Sequence, residues 1–231
     1  MSTSELPSYH VRNKLYVSHF LSTWNSRLFE FGAVLFISTI FPGTLFPASI
    51  YALTRSASVV VCSTFIGRLI DRSERMHLIR LSIIGQRAAT AASCSLLWLL
   101  LYYGYTSLDS WSAKAALALL SLLACTEKLS SVINTISVER DWVVVISKNN
   151  ADDLQELNSQ MRRIDLFCKL VGPLAIALVD GFSTSIAILV TFCMTAASVF
   201  VEYYAIARVY YEVEDLQARP LPSEDPQSTS S

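Results

Sequence analysis

Charged residues are scarce in this 231-residue chain, 16% against 52% hydrophobic, and the mean hydropathy is +0.42. So little polar surface excludes an ordinary soluble domain, whose exterior must be wetted. The 18 Lys and Arg against 19 Asp and Glu leave a net charge of -1, which offers no electrostatic footprint for nucleic acid. The five cysteines, Cys62, Cys94, Cys125, Cys168 and Cys193, include no close pair of the kind that ligates zinc, so packing is their expected role. The three histidines, His10, His19 and His77, are expected near the membrane surface or outside the spans with no ligand cluster among them, and His19, one turn from Ser22, is a secondary ligand candidate. Ser-His-Asp, P-loop and H-E-x-x-H patterns are all missing, so an enzyme is not expected and no resident cofactor is implied. The chain also lacks a cationic n-region followed by a short apolar core and a small-residue cleavage site, so the first span is expected to act as its own insertion signal.

What is present is long apolar runs. Six are long enough to cross about 30 Å of hydrocarbon at about 1.5 Å per residue: Lys14 to Phe41, Leu45 to Ile70, Met76 to Tyr103, Trp111 to Val138, Met161 to Val179 and Thr184 to Tyr211. An all-α, polytopic membrane protein is therefore expected. Arg12 and Lys14 precede the first span, Arg68, Arg72, Arg75 and Arg80 surround the second link, and Lys148, Arg162 and Arg163 mark the fourth. The alternate links IFPGTLFPAS, YYGYTSLDSWSAK and VDGFSTS are poor in Lys and Arg. The positive-inside rule then places both termini in the cytosol. Residues 1–13 read as a cytosolic N-terminal segment and 14–211 as the six-span body. Residues 212–231, rich in Pro, Ser and acids, read as a disordered tail or the start of a linker. Within Ser147 to Gln160, Asn150 is expected to cap a small helix on the cytosolic surface, with Asp152, Asp153 and Glu156 in its first turns.

The spans are not uniformly apolar. LSTWNSRLFEF, Leu21 to Phe31, places Arg27 and Glu30 inside the first. A charge near the centre of a spanning helix costs about 2.5 to 3.5 kcal/mol on insertion scales, which marks it as a functional candidate. Ser18, Ser22, Ser26 and Glu30 recur every fourth residue and form one polar stripe. Thr191, Thr195, Ser198 and Glu202 do the same on the sixth span. Each stripe suits a cavity better than lipid. The competing account of Glu30 is a structural pairing with Arg27 at i, i+3, and that of Glu202 is a reach to the interface. Further intramembrane charge comes from Arg55, Arg87, Glu127 next to Lys128, and Arg162, Asp165 and Lys169. Cations along a path oppose a metal cation, so these read as gate or interlobe ion pairs rather than ligands.

The order YVSHFLSTWNSRLFEF, IYALTRSASVVV, IGRLIDRSERM, SVERDWVVVIS and NSQMRRIDLFCKLVGPLAI resembles ferroportins, the solute carrier family 40 iron exporters of the major facilitator superfamily. Gly67 to Asp71 with Arg72 is similar to the G-x-x-x-D-R turn of that superfamily. The resemblance implies the six-helix N-terminal lobe of a twelve-span transporter that exports ferrous iron by alternating access. Only the first lobe is matched, which points to a truncated or half-length form. The implied partners are the divalent metal, membrane lipid and a second lobe or another copy of this chain, in a plasma or organelle membrane. Residue by residue, animal members carry aspartate where Ser26 stands and histidine where Glu30 stands, while plant relatives carry Glu at the latter. Gln86 matches a glutamine of the third helix, Thr195 an asparagine and Glu202 a glutamate of the sixth. The implied metal ligands are Glu30, Gln86, Glu202, Ser26 and Thr195. Oxygen donors alone suit hard cations, which adds calcium to iron as a candidate cargo. Asp71, Arg72, Asp141, Arg162 and Asp165 match positions that hold the lobes together at the cytosolic gate. The alternative is a membrane protein that folds or pairs without moving metal.

Overall fold

The computed structural model describes residues 9–105, 107–147, 150–213 and 216, and does not describe the side chains of residues 9, 10, 140 and 141. Every element among them is helical: α1 (Tyr9–Ile40), α2 (Phe46–Arg72), α3 (Arg75–Tyr102), α4 (Trp111–Ile136), a π-helical segment (Ser137–Trp142), α5 (Val143–Ile146), α6 (Ala151–Phe182) and α7 (Thr184–Glu212). Local signals set the ends. Pro47 stands in the first turn of α2, where its missing N–H costs nothing, and Ser110 accepts the Ala113 N–H at the start of α4. The loops after α1 and α3 turn at Gly43 and Gly104, whose φ of 90° and 66° a residue with a Cβ adopts only under strain.

Two expectations are corrected. The surface helix expected between Ser147 and Gln160 is not separate. Asn150 does accept the Asp152 N–H, yet the helix it starts runs without a break through Met161 to Phe182. Nothing between Gln160 and Met161 breaks a helix, and a 32-residue helix is longer than a bilayer core, so its polar first turns can project beyond it. The fourth span also does not stop at Val138. It widens into the π segment and resumes as α5, burying Trp142, Val143 and Ile146. By length and hydropathy α2, α3, α7 and the stretch Trp111–Ile146 qualify as membrane spans. α1 and α6 match them in length, but α1 carries the Ser18 to Glu30 stripe, and charges fill the first half of α6. Most of the tail, 214–215 and 217–231, lies outside the described residues, while Leu216 is buried.

In cross-section α1 packs on α6 and α7, α7 on α3, α3 on α4 and α4 on α2, which returns to α1. α1, α2, α4, α3 and α7 thus close a ring, with α6 behind α1. Gly172 of α6 permits that last approach, since a Cβ there would sit 3.2 Å from Cβ of Arg27. Leu53, Val60, Val61 and Phe65 on α2 and Leu166, Leu170, Leu174 and Leu178 on α6 are exposed, an outer surface suited to lipid.

Two apolar cores fill the ring. One gathers Phe29, Phe36, Phe41, Tyr51, Leu97 and Leu120, and the other Leu15, Ile79, Ile83, Trp142, Met161 and Val209. Between them the same helices switch to polar residues. α1 does so from Ser18 to Ser26, α3 at Gln86, Arg87 and Thr90, α4 from Glu127 to Asn134, and α7 from Thr191 to Glu202. The result is a buried polar layer across the bundle.

Candidate functional site

Four helices bring carboxylates, amides and hydroxyls into this layer, and α2 adds one guanidinium. Arg55 donates from Nη1 to Oε1 of Glu30 and from Nη2 to Oε2 of Glu127, both at 2.8 Å. Glu30 accepts a second cation, Arg27 Nη1, on Oε2 at 2.8 Å. The other oxygen of Glu127 accepts from Ser26 Oγ at 3.1 Å and from Gln86 Nε2 at 3.2 Å. Ser26 Oγ also lies 3.3 Å from Ser131 Oγ. Asn134 donates to Ser22 Oγ at 2.9 Å, which ties α4 back to α1.

A second cluster sits on α3 and α7. Arg87 donates from Nη2 at 2.7 Å and from Nε at 3.0 Å to the same oxygen, Oε2 of Glu202. It also reaches the Leu21 carbonyl at 3.3 Å. Glu202 Oε1 is buried with no hydrogen-bond partner among the described residues, and so are Thr195 Oγ1 and Ser93 Oγ. An unpartnered carboxylate oxygen in a low-dielectric interior is costly. Glu127 and Glu202 are 0% exposed, and each faces a guanidinium, Arg55 and Arg87 in turn.

The five expected ligands therefore divide into two groups. Glu30, Ser26 and Gln86 meet around Glu127 and Arg55, while Glu202 lies with Arg87, and Thr195, seven residues before it on α7, shares its face. For Glu30 the pairing account describes its contacts, since both oxygens hold cations. For Glu202 the interface account does not, since it is fully buried.

Sequence reasoning passed over Glu127 as a ligand, and over the partners of Arg55 and Arg87. The signal was there, because Glu127, Ser131 and Asn134 are spaced by four and three, the stripe rule already applied to the first and sixth spans.

The expected gate residues are less gathered. Asp71, Arg72 and Arg162 are exposed, and no ion pair joins them among the described residues. The Asp141 side chain lies outside those residues. Asp165 is drawn instead to α1, where its Oδ1 lies 2.9 Å from His19 Nε2 and accepts from Thr23 Oγ1 at 3.3 Å. The ties across this end are Arg12 to Glu156 at 3.3 Å and Lys14 to Glu212.

The family profile Ferroportin1 (FPN1) matches residues 9–231. The chain belongs to the ferroportin family. Solute carrier family 40 member 1 of Oryza sativa subsp. japonica is 32% identical over 201 residues, covering 85% of this chain and 42% of the rice protein. Ferroportin of Canis lupus familiaris is 25% identical over 214 residues, covering 89% of this chain and 36% of the dog protein. The crystal structure of a bacterial homologue of the iron transporter ferroportin, in an outward-facing state, superposes with a TM-score of 0.80 at 22% identity. That match covers 93% of this chain and 52% of the bacterial one, and it establishes the fold. Ferroportin family membership, the all-helical lobe and its multi-pass membrane character are thus in place. The chain spans about half the length, or less, of the relatives it matches.

Proposed function

We propose that this ferroportin-family chain serves as the N-terminal lobe of a divalent-metal exporter and that its polar layer is the lobe's metal station. The observation that carries this reading is the pair of orphaned oxygens on α7, Glu202 Oε1 and Thr195 Oγ1, on the face that carries the polar stripe. A carboxylate oxygen without a donor at that depth is an open position for a cation. Glu30, Ser26 and Gln86 extend the oxygen set across to α1 and α3. Ferrous iron is the first candidate cargo, supported by the family and by a bacterial homologue solved with soaked iron. Calcium is the second, since the donors are all oxygen.

Arg55 and Arg87 set the terms of binding. Each occupies carboxylate oxygens a metal would use, so beyond the open Glu202 Oε1 a dication gains further carboxylate ligands only as a guanidinium moves aside. Alternating access would supply that movement, with a second lobe rocking against this one and both termini in the cytosol.

One observation favours the other reading, a lobe that does not move metal. The three acids Glu30, Glu127 and Glu202 are already balanced by Arg27, Arg55 and Arg87. Calorimetry on the purified chain under anaerobic conditions separates the two. Ferrous iron binding that falls at least tenfold in Glu202→Gln, with folding intact, supports the metal station. Saturable binding that is absent, or unmoved by Glu202→Gln and Glu30→Gln alike, leaves the non-transporting lobe.

A further inference from the structure

At the edge of the polar layer, three potential ligands converge from three elements. His19 comes from α1, Glu139 from the π segment and Asp165 from α6, and one ligand atom from each lies within 4.8 Å of the others. The hydrogen bonds of His19 and Asp165 run to each other and to Thr23, apart from the Arg55 and Arg87 networks. We infer that His19, Glu139 and Asp165 form a separate site for a divalent first-row transition metal, on the side of the polar layer toward the starts of α1 and α6.

Three observations carry the inference beyond proximity. The first is donor chemistry. One imidazole nitrogen with two carboxylates suits iron(II), manganese, cobalt or zinc, whereas the oxygen-only polar layer suits harder ions. The second is preorganisation. His19 is only 6% exposed, and its Nε2 is held 2.9 Å from Asp165 Oδ1, with Thr23 donating to that same oxygen. Ligand atoms around a metal at about 2.0 to 2.2 Å stand roughly 3 to 3.5 Å apart. His19 and Asp165 already stand close to that spacing at 2.9 Å, and the Glu139 oxygen, within 4.8 Å of both, has at most about 1.8 Å to close. The third is access. A cavity of about 540 Å³ is lined by Glu139 and Asp165 together with Gln155, Asn158 and Ser159 of α6, so both carboxylates border open space. Arg162 also lines it and opposes a dication there, one guanidinium against two carboxylates.

The π segment accounts for Glu139 being there. A π turn inserts an extra residue into an α-helix and rotates the side chains around it to new directions, and such turns concentrate at functional sites. His19 stands seven residues before Ser26 on α1, about 10 Å along the axis. The site is thus placed to load the polar layer, a role that rests on the exporter reading above, while metal binding at the triad does not.

Cobalt(II) is the probe, because the intensity of its visible d–d bands separates a four- or five-coordinate protein site from the six-coordinate aqueous ion. Untagged full chain in detergent would be titrated with cobalt(II), alongside His19→Ala, Glu139→Gln and the double variant Glu30→Gln/Glu202→Gln, with thermal melting as the check on folding. The expected result is a visible band in the native chain and in the double variant. Affinity should fall at least tenfold in Glu139→Gln, and the band should be lost in His19→Ala. Should His19→Ala fail to fold, Glu139→Gln alone decides, since an isosteric amide at a partly exposed position leaves the packing unchanged. The inference is overturned by no band in the folded native chain, or by a band that Glu139→Gln leaves untouched. A band lost only in the double variant also overturns it and places the metal in the polar layer. Failure of the exporter reading would show separately, as ferrous iron binding indifferent to Glu202.

Discussion

Arg55 reaches from α2 to Glu127 on α4 with 2.8 Å between Nη2 and Oε2, and neither side chain is more than 4% exposed. Since the same guanidinium also holds Glu30 of α1, one residue fastens three helices through the centre of the lobe. Removing one partner of a buried pair leaves an uncompensated charge, at a cost of about 3 to 5 kcal/mol. Arg55→Met is expected to lower the thermal midpoint of the chain in detergent sharply, and Arg55→Met/Glu127→Met to recover most of the loss. A double variant no more stable than Arg55→Met would show that the pair is not the source.

Arg87 and Glu202 differ in one respect, because Glu202 keeps an orphaned oxygen. Arg87→Met should destabilise the chain and at the same time open the carboxylate to cations. Added calcium or manganese is then expected to raise the melting temperature of Arg87→Met more than that of the native chain. A ligand at about 100 times its Kd stabilises by about 2.7 kcal/mol. Equal shifts in the two proteins would count against a cation position at Glu202.

Gly172 is the contact point of α6 with α1, with Arg27 Cβ 3.2 Å from where its own Cβ would stand. Gly172→Leu forces the helices apart and is expected to cost about 1 to 3 kcal/mol, as overpacking does. Gly181, with nothing within 4 Å of a built Cβ, is the control, and Gly181→Ala should melt as the native chain does.

Trp142 is the largest fully buried side chain and sits at the end of the π segment in the core near the start of α1. Trp142→Ala should cost about 3 to 5 kcal/mol, and Trp142→Phe clearly less, because the phenyl ring refills most of the cavity. Comparable midpoints for the two variants would show that the site does not depend on volume.

Much of the architecture was legible in the sequence. The six apolar runs became the long helices, and the stripes Ser18 to Glu30 and Thr191 to Glu202 became two walls of the polar layer, because the helical period forces residues three and four apart onto one face. The continuity of α6 was less legible, since the polar composition of Ala151 to Gln160 suggests a surface helix while nothing in it ends one. Arg55 and Arg87 do form ion pairs, but with acids inside this lobe rather than at a gate or across to a second one, and those partners were out of reach. Arg55 and Glu127 are 72 residues apart, and Arg87 and Glu202 are 115.

The sequence by itself determined that this chain is a multi-pass, all-helical membrane protein of the ferroportin family, because hydropathy, stripe spacing and motif order are local properties that survive without coordinates. Only the tertiary structure decided what the charges do. Which carboxylate meets which guanidinium, which oxygen is left alone and which ligand atoms converge with His19 depend on how the helices are arranged around the ring. That arrangement is set by packing between helices far apart in the chain, and no local pattern encodes it.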